Sequence, residues 1–464
     1  MRPYKKEGAF LLNHTDFAGK NILVVGLART GVALCRFLVE HGARVTVTDQ
    51  APPDDLADSR QDIQGLGVTE DLGVAQPRWQ GFDAIVLSPG VPPELPWLVA
   101  ARAAGLPVVG ELEVAAPFIR RPLLAVSGTN GKTTTTTLLG ELLTASGVKT
   151  LVGGNIGTPV VSLLARQDEA DLLVIEVSSF QLDTASNFHP QAAALLNLTP
   201  DHLDRYPDYD AYLASKASLF RRQGAGDLQV LNADDPAMAG LDRGLSRVYY
   251  FSATRPLKTG AWLNHAALKV RLADRREEIF PLAHIRLQGR HNLENIMAAL
   301  LLALDAGADP RACRGVLATF RGLPHRLEWV ADKGGVSFYD DSKGTNVGAV
   351  ATSLAHFDRP VILIAGGRDK DSDFSLLNNL IATRVKALVL LGETRERLAR
   401  VWRGLAPTYL ADDMAGAVAQ AWELSRPGEV VLLSPACASF DMYRDYAHRG
   451  QTFQNLVREL NHAE

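Results

Sequence analysis

Leu124-Ala125-Val126-Ser127-Gly128-Thr129-Asn130-Gly131-Lys132-Thr133-Thr134, followed by Leu138-Leu139-Gly140-Glu141-Leu142-Leu143, sets an apolar strand, a glycine-bearing loop and a helix in succession. The leucines recur at i, i+4 spacing and Gly147 stops the helix. Glycines let backbone N–H groups converge on a polyphosphate, and a helix N-terminus adds the positive end of its dipole. In such a loop Lys132 reaches the β- and γ-phosphates and the Thr133 hydroxyl ligates Mg2+. The loop is shorter than G-x-x-x-x-G-K-S/T, because Val126 stands at the first glycine position. A tight strand–helix turn with an exposed lysine would use the same residue types. The order strand, loop, helix favours an ATP site over Gly128, Thr129, Asn130, Gly131, Lys132, Thr133 and Thr134.

Outward from this unit, short β-branched runs alternate with helical stretches from end to end, which predicts α/β architecture with parallel sheets. Ile22-Leu23-Val24-Val25, Val45-Thr46-Val47-Thr48, Ile85-Val86-Leu87 and Val108-Val109 make a first series. Leu123-Leu124-Ala125-Val126, Leu172-Leu173-Val174-Ile175-Glu176-Val177, Ala193-Ala194-Leu195-Leu196 and Leu228-Gln229-Val230-Leu231 make a second. Val361-Ile362-Leu363-Ile364, Ala387-Leu388-Val389-Leu390-Leu391 and Val430-Val431-Leu432-Leu433 make a third. Each series predicts one doubly wound sheet with its own core. The 464 residues hold three such domains, at roughly 150 residues each. Breaks near Arg120-Arg121-Pro122 and Phe320-Arg321-Gly322-Leu323-Pro324 divide the chain into residues 1–110, 111–322 and 323–464.

The composition, 47% hydrophobic and 22% charged, argues against a collagen, a disulfide scaffold or a mostly disordered chain. A formal charge of −4 offers no bulk attraction to nucleic acid or anionic lipid. Cys35, Cys313 and Cys437 lie far apart with no CxxC, which favours a reducing cytoplasm. The apolar patch at residues 9–12 is too short for a signal peptide, and no later stretch approaches the ~20 apolar residues that span a bilayer. A soluble cytoplasmic protein is expected.

Other constellations carry chemistry only in context. Glu176 ends an apolar strand, and beside a phosphate loop such a carboxylate suits Mg2+. Ser178-Ser179 lacks the G-x-S-x-G setting of a hydrolase nucleophile. Asp201-His202-Leu203-Asp204 follows another strand and sets an imidazole and two acids on the same edge; its spacing is not a zinc pattern. Taken alone, Lys216 reads as a solvated helix lysine, and Gly153-Gly154-Asn155-Ile156-Gly157 as a Gly/Asn turn. Asp341-Ser342-Lys343-Gly344-Thr345-Asn346 reads as a polar turn. In Gly289-Arg290-His291-Asn292-Leu293-Glu294-Asn295, His291 or Asn292 could cap a helix. Gly26-Leu27-Ala28-Arg29-Thr30-Gly31 with Asp49 approximates a dinucleotide fingerprint, but Ala28 replaces its middle glycine, so NAD binding is disfavoured.

The G-T-N-G-K-T-T loop resembles the ATP-binding loop of the Mur ligases, the cytoplasmic amide ligases of peptidoglycan precursors, and of the related folylpolyglutamate synthetase. Later motifs extend the likeness over nearly the whole chain and bring it closest to the D-glutamate-adding branch. The resemblance implies a Rossmann-like N-terminal domain for UDP, a central P-loop ATPase-type domain and a Rossmann-like C-terminal domain for the amino acid. It places Thr133 and Glu176 on Mg2+, and gives His202 and Lys216 a second Mg2+, with Lys216 carbamylated. The carbamate's oxygens suit a hard cation where an ammonium does not. Asn295, Arg326 and Asp341 are implied nucleotide contacts. Asn155 is implied at the sugar-peptide, Arg29 and Thr30 near the diphosphate, Asp49 near uracil, and Ser88 and Gly90 on a second substrate loop. Lys343, Thr345, Lys370, Ser439, the Phe440 backbone and Tyr446 are implied around the incoming amino acid. Cys437 reads as a small packed residue. Arg368, and Gln50-Ala51 after Asp49, depart from the residues these ligases commonly carry.

The implied activity is ATP-dependent addition of D-glutamate to UDP-N-acetylmuramoyl-L-alanine through an acyl phosphate. That reaction serves cell-wall synthesis, and with it cell shape and division; a monomer is expected, with no nucleic-acid or membrane partner. A folylpolyglutamate synthetase-like enzyme would share the ATP core but not the UDP-type first loop. A nucleotide switch would leave Lys216, Lys343 and Ser434-Pro435-Ala436-Cys437-Ala438-Ser439 without a role.

Overall fold

Apolar runs buried on both faces become the central strands of three sheets, as expected where helices cover both sides of a parallel sheet. In this computed structural model the chain is described over residues 17–201, 205–241, 244–273, 277–287, 289–369 and 372–460. The first sheet holds β1 (Asn21–Val25), β2 (Arg44–Asp49), β3 (Thr69–Leu72), β4 (Ala84–Leu87) and β5 (Val108–Gly110) in the order β3-β2-β1-β4-β5, all parallel. Strand order reverses between β1 and β4, which opens a crevice at their carboxyl ends, the usual ligand position in such sheets.

The second sheet holds β6 (Leu123–Ser127), β7 (Thr150–Gly154), β8 (Leu172–Glu176), β9 (Ala192–Leu195), β10 (Leu228–Asn232), β11 (Arg247–Ser252), β12 (Gly260–Asn264), β13 (Ala267–Arg271) and β14 (Glu278–Pro281). Its order is β14-β13-β12-β11-β10-β9-β6-β8-β7. The third holds β15 (Glu328–Lys333), β16 (Val336–Asp340), β17 (Val361–Ala365), β18 (Val385–Leu390), β19 (Thr408–Leu410) and β20 (Val430–Leu433), ordered β15-β16-β20-β17-β18-β19. The three sheets are mainly parallel, as expected, and carry antiparallel strands at two margins. The β12–β13–β14 ribbon and the β15–β16 pair are antiparallel. β13 alternates buried with more exposed residues and β15 holds no fully buried residue, so neither carries the unbroken apolar run that marks a central strand.

By packing, the first two sheets belong to one compact unit. The third sheet forms another, together with Thr199–Tyr212 and Arg286–Leu293. Within the first unit, the turn after β5 is fastened to the central sheet by buried acids. Glu113 accepts hydrogen bonds from Asn187 N at 2.9 Å and Asn187 Nδ2 at 2.6 Å, while Glu111 accepts from Val161 N at 3.2 Å. Burial pushes the Glu111 carboxyl up to about 7. No helix among the described residues is long and apolar enough to cross a membrane.

Candidate active site

The phosphate loop leaves β6 at Ser127 and enters the helix Lys132–Ala145. Gly131 caps that helix with φ 85, a left-handed conformation, and a side chain there would strike Asn295 Oδ1 at 2.2 Å. Buried Asn295 is thus seated directly against the loop. The loop's own backbone is clasped from β9's exit. Asn197 Oδ1 accepts from Asn130 N at 2.8 Å, Asn197 Nδ2 donates to Asn130 O at 3.0 Å, and Asn197 O accepts from Thr129 N at 2.9 Å. Lys132 Nζ donates to Gly128 O and Thr129 O, both at 2.8 Å.

β8 runs beside β6, with Glu176 in register with Val126, so its carboxylate is delivered to the strand end next to the loop. One oxygen accepts from Asn155 Nδ2 at 2.7 Å; the other, Oε2, is buried without a hydrogen-bond partner. A bare buried carboxylate oxygen is costly unless a cation meets it, so the residue fits a metal ligand. Ser178 caps the helix Ser179–Asp183 through a capping box with Gln181, which accounts for the serine pair structurally.

Lys216 corrects the reading of its residue type. It lies on the helix Tyr209–Ala217 but is only 2% exposed, and its Nζ donates to Gly128 O at 2.9 Å. Two lysines from different helices therefore converge on one loop carbonyl. His202 and Asp204, named as metal and acid candidates, lie outside the described residues, as does Lys370.

At the first sheet, Asp49 ends β2 and closes the loop after β1, accepting from Leu27 N at 2.8 Å and Ala51 N at 2.9 Å. Ser88 Oγ donates to Gly26 O at 2.8 Å, joining the loops after β1 and β4 at the crevice. Arg29, adjacent to Thr30 at the start of the helix Arg29–Glu40, donates to Gly157 O at 2.8 Å. The Arg29 loop and the Asn155 loop are thereby brought together. Gly90 is exposed on the loop beyond β4.

In the third sheet, Asp341 follows β16 and is buried. Its Oδ2 accepts from Ser353 Oγ at 2.6 Å and Ser434 Oγ at 2.7 Å, and its Oδ1 from Leu327 N at 3.3 Å. Burial pushes its carboxyl up to about 6 against these hydrogen bonds. Lys343 Nζ stands 3.7 Å from the centroid of the Tyr446 ring, a cation–π contact that places these two candidates side by side. Thr345 follows on the same turn, its N–H donating to Lys343 O at 2.8 Å. Ser439 is buried, whereas Phe440 is 63% exposed. Cys437 is buried, and burial pushes its thiol up to about 11, so it packs as a neutral group. Arg368 is exposed and ion-paired with Glu393 at 2.9 Å. The helix Arg290–Asp305 begins at Arg290, so His291 and Asn292 occupy its first turn and the capping alternative is not taken. Burial, with His356 and Arg326 nearby, pulls the His291 imidazole down to about 4 and keeps it neutral.

The chain is 46% identical to the UDP-N-acetylmuramoylalanine–D-glutamate ligase of Geotalea uraniireducens over 96% of this chain and 99% of that one. It is also 46% identical to the enzyme of the same name from Geobacter metallireducens, over 97% and 99% of the two chains. The chain belongs to the Mur ligase family. The family's MurD-like N-terminal domain matches residues 20–110, its middle domain residues 126–303 and its glutamate ligase domain residues 325–437. Among solved structures, a pseudomurein peptide ligase type C from Methanothermus fervidus shares the fold. Its TM-score is 0.61 at 18% identity, over 96% of this chain and all of that one.

This Mur ligase also carries groups whose roles its sequence did not disclose. Asn197 clasps the phosphate loop. Arg449 is buried in the third sheet's unit and ties two loops together, donating to Ser342 Oγ at 3.0 Å, Ser342 O at 2.9 Å, Cys437 O at 3.1 Å and Ala438 O at 3.2 Å. Its spacing from Ser342 across 107 positions leaves no local pattern to find.

Proposed function

We propose that this Mur ligase joins D-glutamate to the free carboxylate of UDP-N-acetylmuramoyl-L-alanine, with ATP cleaved to ADP and phosphate. The observation that carries this is the near full-length 46% identity to ligases of that name. The domains are assigned as residues 1–110 for the uridine substrate, 111–322 for ATP and 323–464 for the amino acid. The setting is cytoplasmic peptidoglycan precursor synthesis.

An oxygen of the acceptor carboxylate attacks the γ-phosphorus, the bond to ADP breaks, and an acyl phosphate forms. The D-glutamate amine then attacks the acyl carbon. The tetrahedral intermediate collapses as the carbon–oxygen bond to phosphate breaks, and the amine proton is lost. Lys132 offsets charge on the transferring phosphoryl group, and Gly128 to Thr134 supply backbone donors and a helix N-terminus. Asn295, Arg326 and Asp341 receive the nucleoside. Arg29, Thr30, Asp49, Ser88, Gly90 and Asn155 receive the UDP-sugar. Lys343, Thr345, Lys370, Ser439 and the Phe440 N–H match the two carboxylates of D-glutamate, and Tyr446 braces Lys343.

Thr133, Glu176, His202 and a carbamylated Lys216 would hold Mg2+, and the partnerless Glu176 Oε2 supports that assignment. When bound, Mg2+ supplies neutralisation of phosphate charge. Phosphate release from ATP tests the reading. Release is expected only with both substrates present. Equal release without D-glutamate, or preference for an uncharged amino acid, would contradict it.

A further inference from the structure

Arg326 sits between two residues in the left-handed region, His325 at φ 62 and Leu327 at φ 47. Side chains other than glycine hold that conformation only under constraint. The constraint is a polar cluster beneath the loop. His325 Nδ1 lies 2.6 Å from Asp340 Oδ2, and His325 N donates to Glu328 Oε2 at 2.8 Å. From the C-terminal helix Tyr446–Glu459, Gln454 Nε2 donates to Asp340 Oδ2 and to Glu328 Oε2, each at 2.9 Å. Asp340, Gln454 and His325 are all buried.

The three side chains His325, Glu328 and Asp340 offer ligand atoms within 4.8 Å of one another, the shape of a cation site. The Gln454 amide decides against that reading. Its Nε2 also lies 3.4 Å from His325 Nδ1, so a donor already stands among the three groups. Helix and loop approach closely because residue 450 is glycine: a Cβ there would fall 2.2 Å from His325 Nδ1. The imidazole pKa is raised, first by the hydrogen bond to Asp340 and then by the charges of Asp340, Glu328 and Asp445. The Tyr446 ring is its other neighbour, at 6.3 Å between centroids.

The cluster reaches both sides of the chemistry. His325 O accepts from Lys343 N at 3.0 Å, and Leu327 N donates to Asp341 Oδ1 at 3.3 Å. We propose that Asp340 and Gln454 are positioning residues: through His325 they hold the left-handed backbone that flanks Arg326, and so the placement of Arg326, and fix the Lys343 turn to it. Nucleotide and amino-acid affinities are then set together. This rests on the reading that Arg326 and Asp341 face ATP and that Lys343 faces the amino acid.

Steady-state kinetics of the full chain test it with Asp340→Asn, which keeps the shape but weakens the hold on the His325 ring, and Gln454→Met, which deletes the central donor. Each folded variant should raise KM for ATP and for D-glutamate about tenfold, with kcat within about threefold. KM for the UDP-linked acceptor should stay unchanged. Unaltered KM for ATP and D-glutamate in folded variants would overturn the proposal. If Asp340→Asn does not fold, Gln454→Met carries the same expectation; loss of the fold in both assigns the cluster to stability alone and overturns it too. Failure of the underlying reading is seen separately, as a wild-type chain inactive with both substrates or an Arg326→Ala variant with normal KM for ATP.

Discussion

The phosphate loop and the Lys343 turn both leave the carboxyl end of a parallel strand and lead into a helix, yet they are held differently. The first is shaped largely by its own glycines and its own lysine, with Asn197 at the neighbouring strand end and Lys216 at Gly128 O clasping its backbone. The second is held by side chains gathered from across its unit. Ser353 and Ser434 bond Asp341, Arg449 bonds Ser342, and Asn346 both caps the next helix and reaches Asp201 at 3.0 Å. A locally built site is sensitive mainly to its own residues. A site built by distant partners transmits changes made far along the chain into amino-acid binding.

Lys132→Ala should give the largest effect, and it acts on the local site. Activity should fall at least about a hundredfold while the thermal midpoint moves little, because a charge aimed at the transferring phosphoryl group is lost. Paired turnover and melting curves check this, and a large loss of stability would break the contrast between the regions. Lys216→Ala should follow, with at least about a tenfold loss. Small carboxylates added to the assay should restore part of it by replacing the carbamate oxygens, whereas no restoration at any concentration would count against the carbamate.

Arg449→Met probes the distant support. It strips donors from three buried carbonyls, so unfolding free energy should drop by about 3 kcal/mol and KM for D-glutamate should rise, with KM for ATP less affected. Urea unfolding and substrate titrations measure both.

Glu111→Gln lies outside both loops and serves as a baseline. The folded carboxyl holds its proton up to about 7, above its ordinary value of 4.5, so native protein loses stability as pH rises between these values. The variant should match the parent at acid pH and exceed it by about 3 kcal/mol near pH 8, with activity nearly unchanged. Denaturant melts across pH read the difference. The smallest effect is expected from Cys437→Ala, a change of about twofold or less in KM for D-glutamate, since its thiol is neutral and packs. Loss of turnover there would make the thiol a participant.

The same contrast explains what the sequence disclosed. Strands such as β6, β8, β17 and β20 are buried along their whole length, so continuous apolar runs announced them. β3, with Thr69-Glu70-Asp71-Leu72, and β19, with every residue exposed, are sheet edges and carry no such run. Lys132, Thr133 and Glu176 were legible because strand order alone brings a loop and an acid to one edge. The burial of Lys216 depends on how its helix packs under the phosphate loop, which residue type cannot reveal. His325 with Asp340, and Arg449 with Ser342, are meetings of separate segments, 15 and 107 positions apart. Only the assembled unit makes them partners.

Transfer of a labelled oxygen tests ligation through an acyl phosphate most directly. With heavy oxygen in the acceptor carboxylate, wild-type enzyme, ATP and D-glutamate should yield one labelled oxygen in inorganic phosphate for each amide formed. Amide formed with unlabelled phosphate would show that the carboxylate never attacked the γ-phosphorus, and would contradict the mechanism.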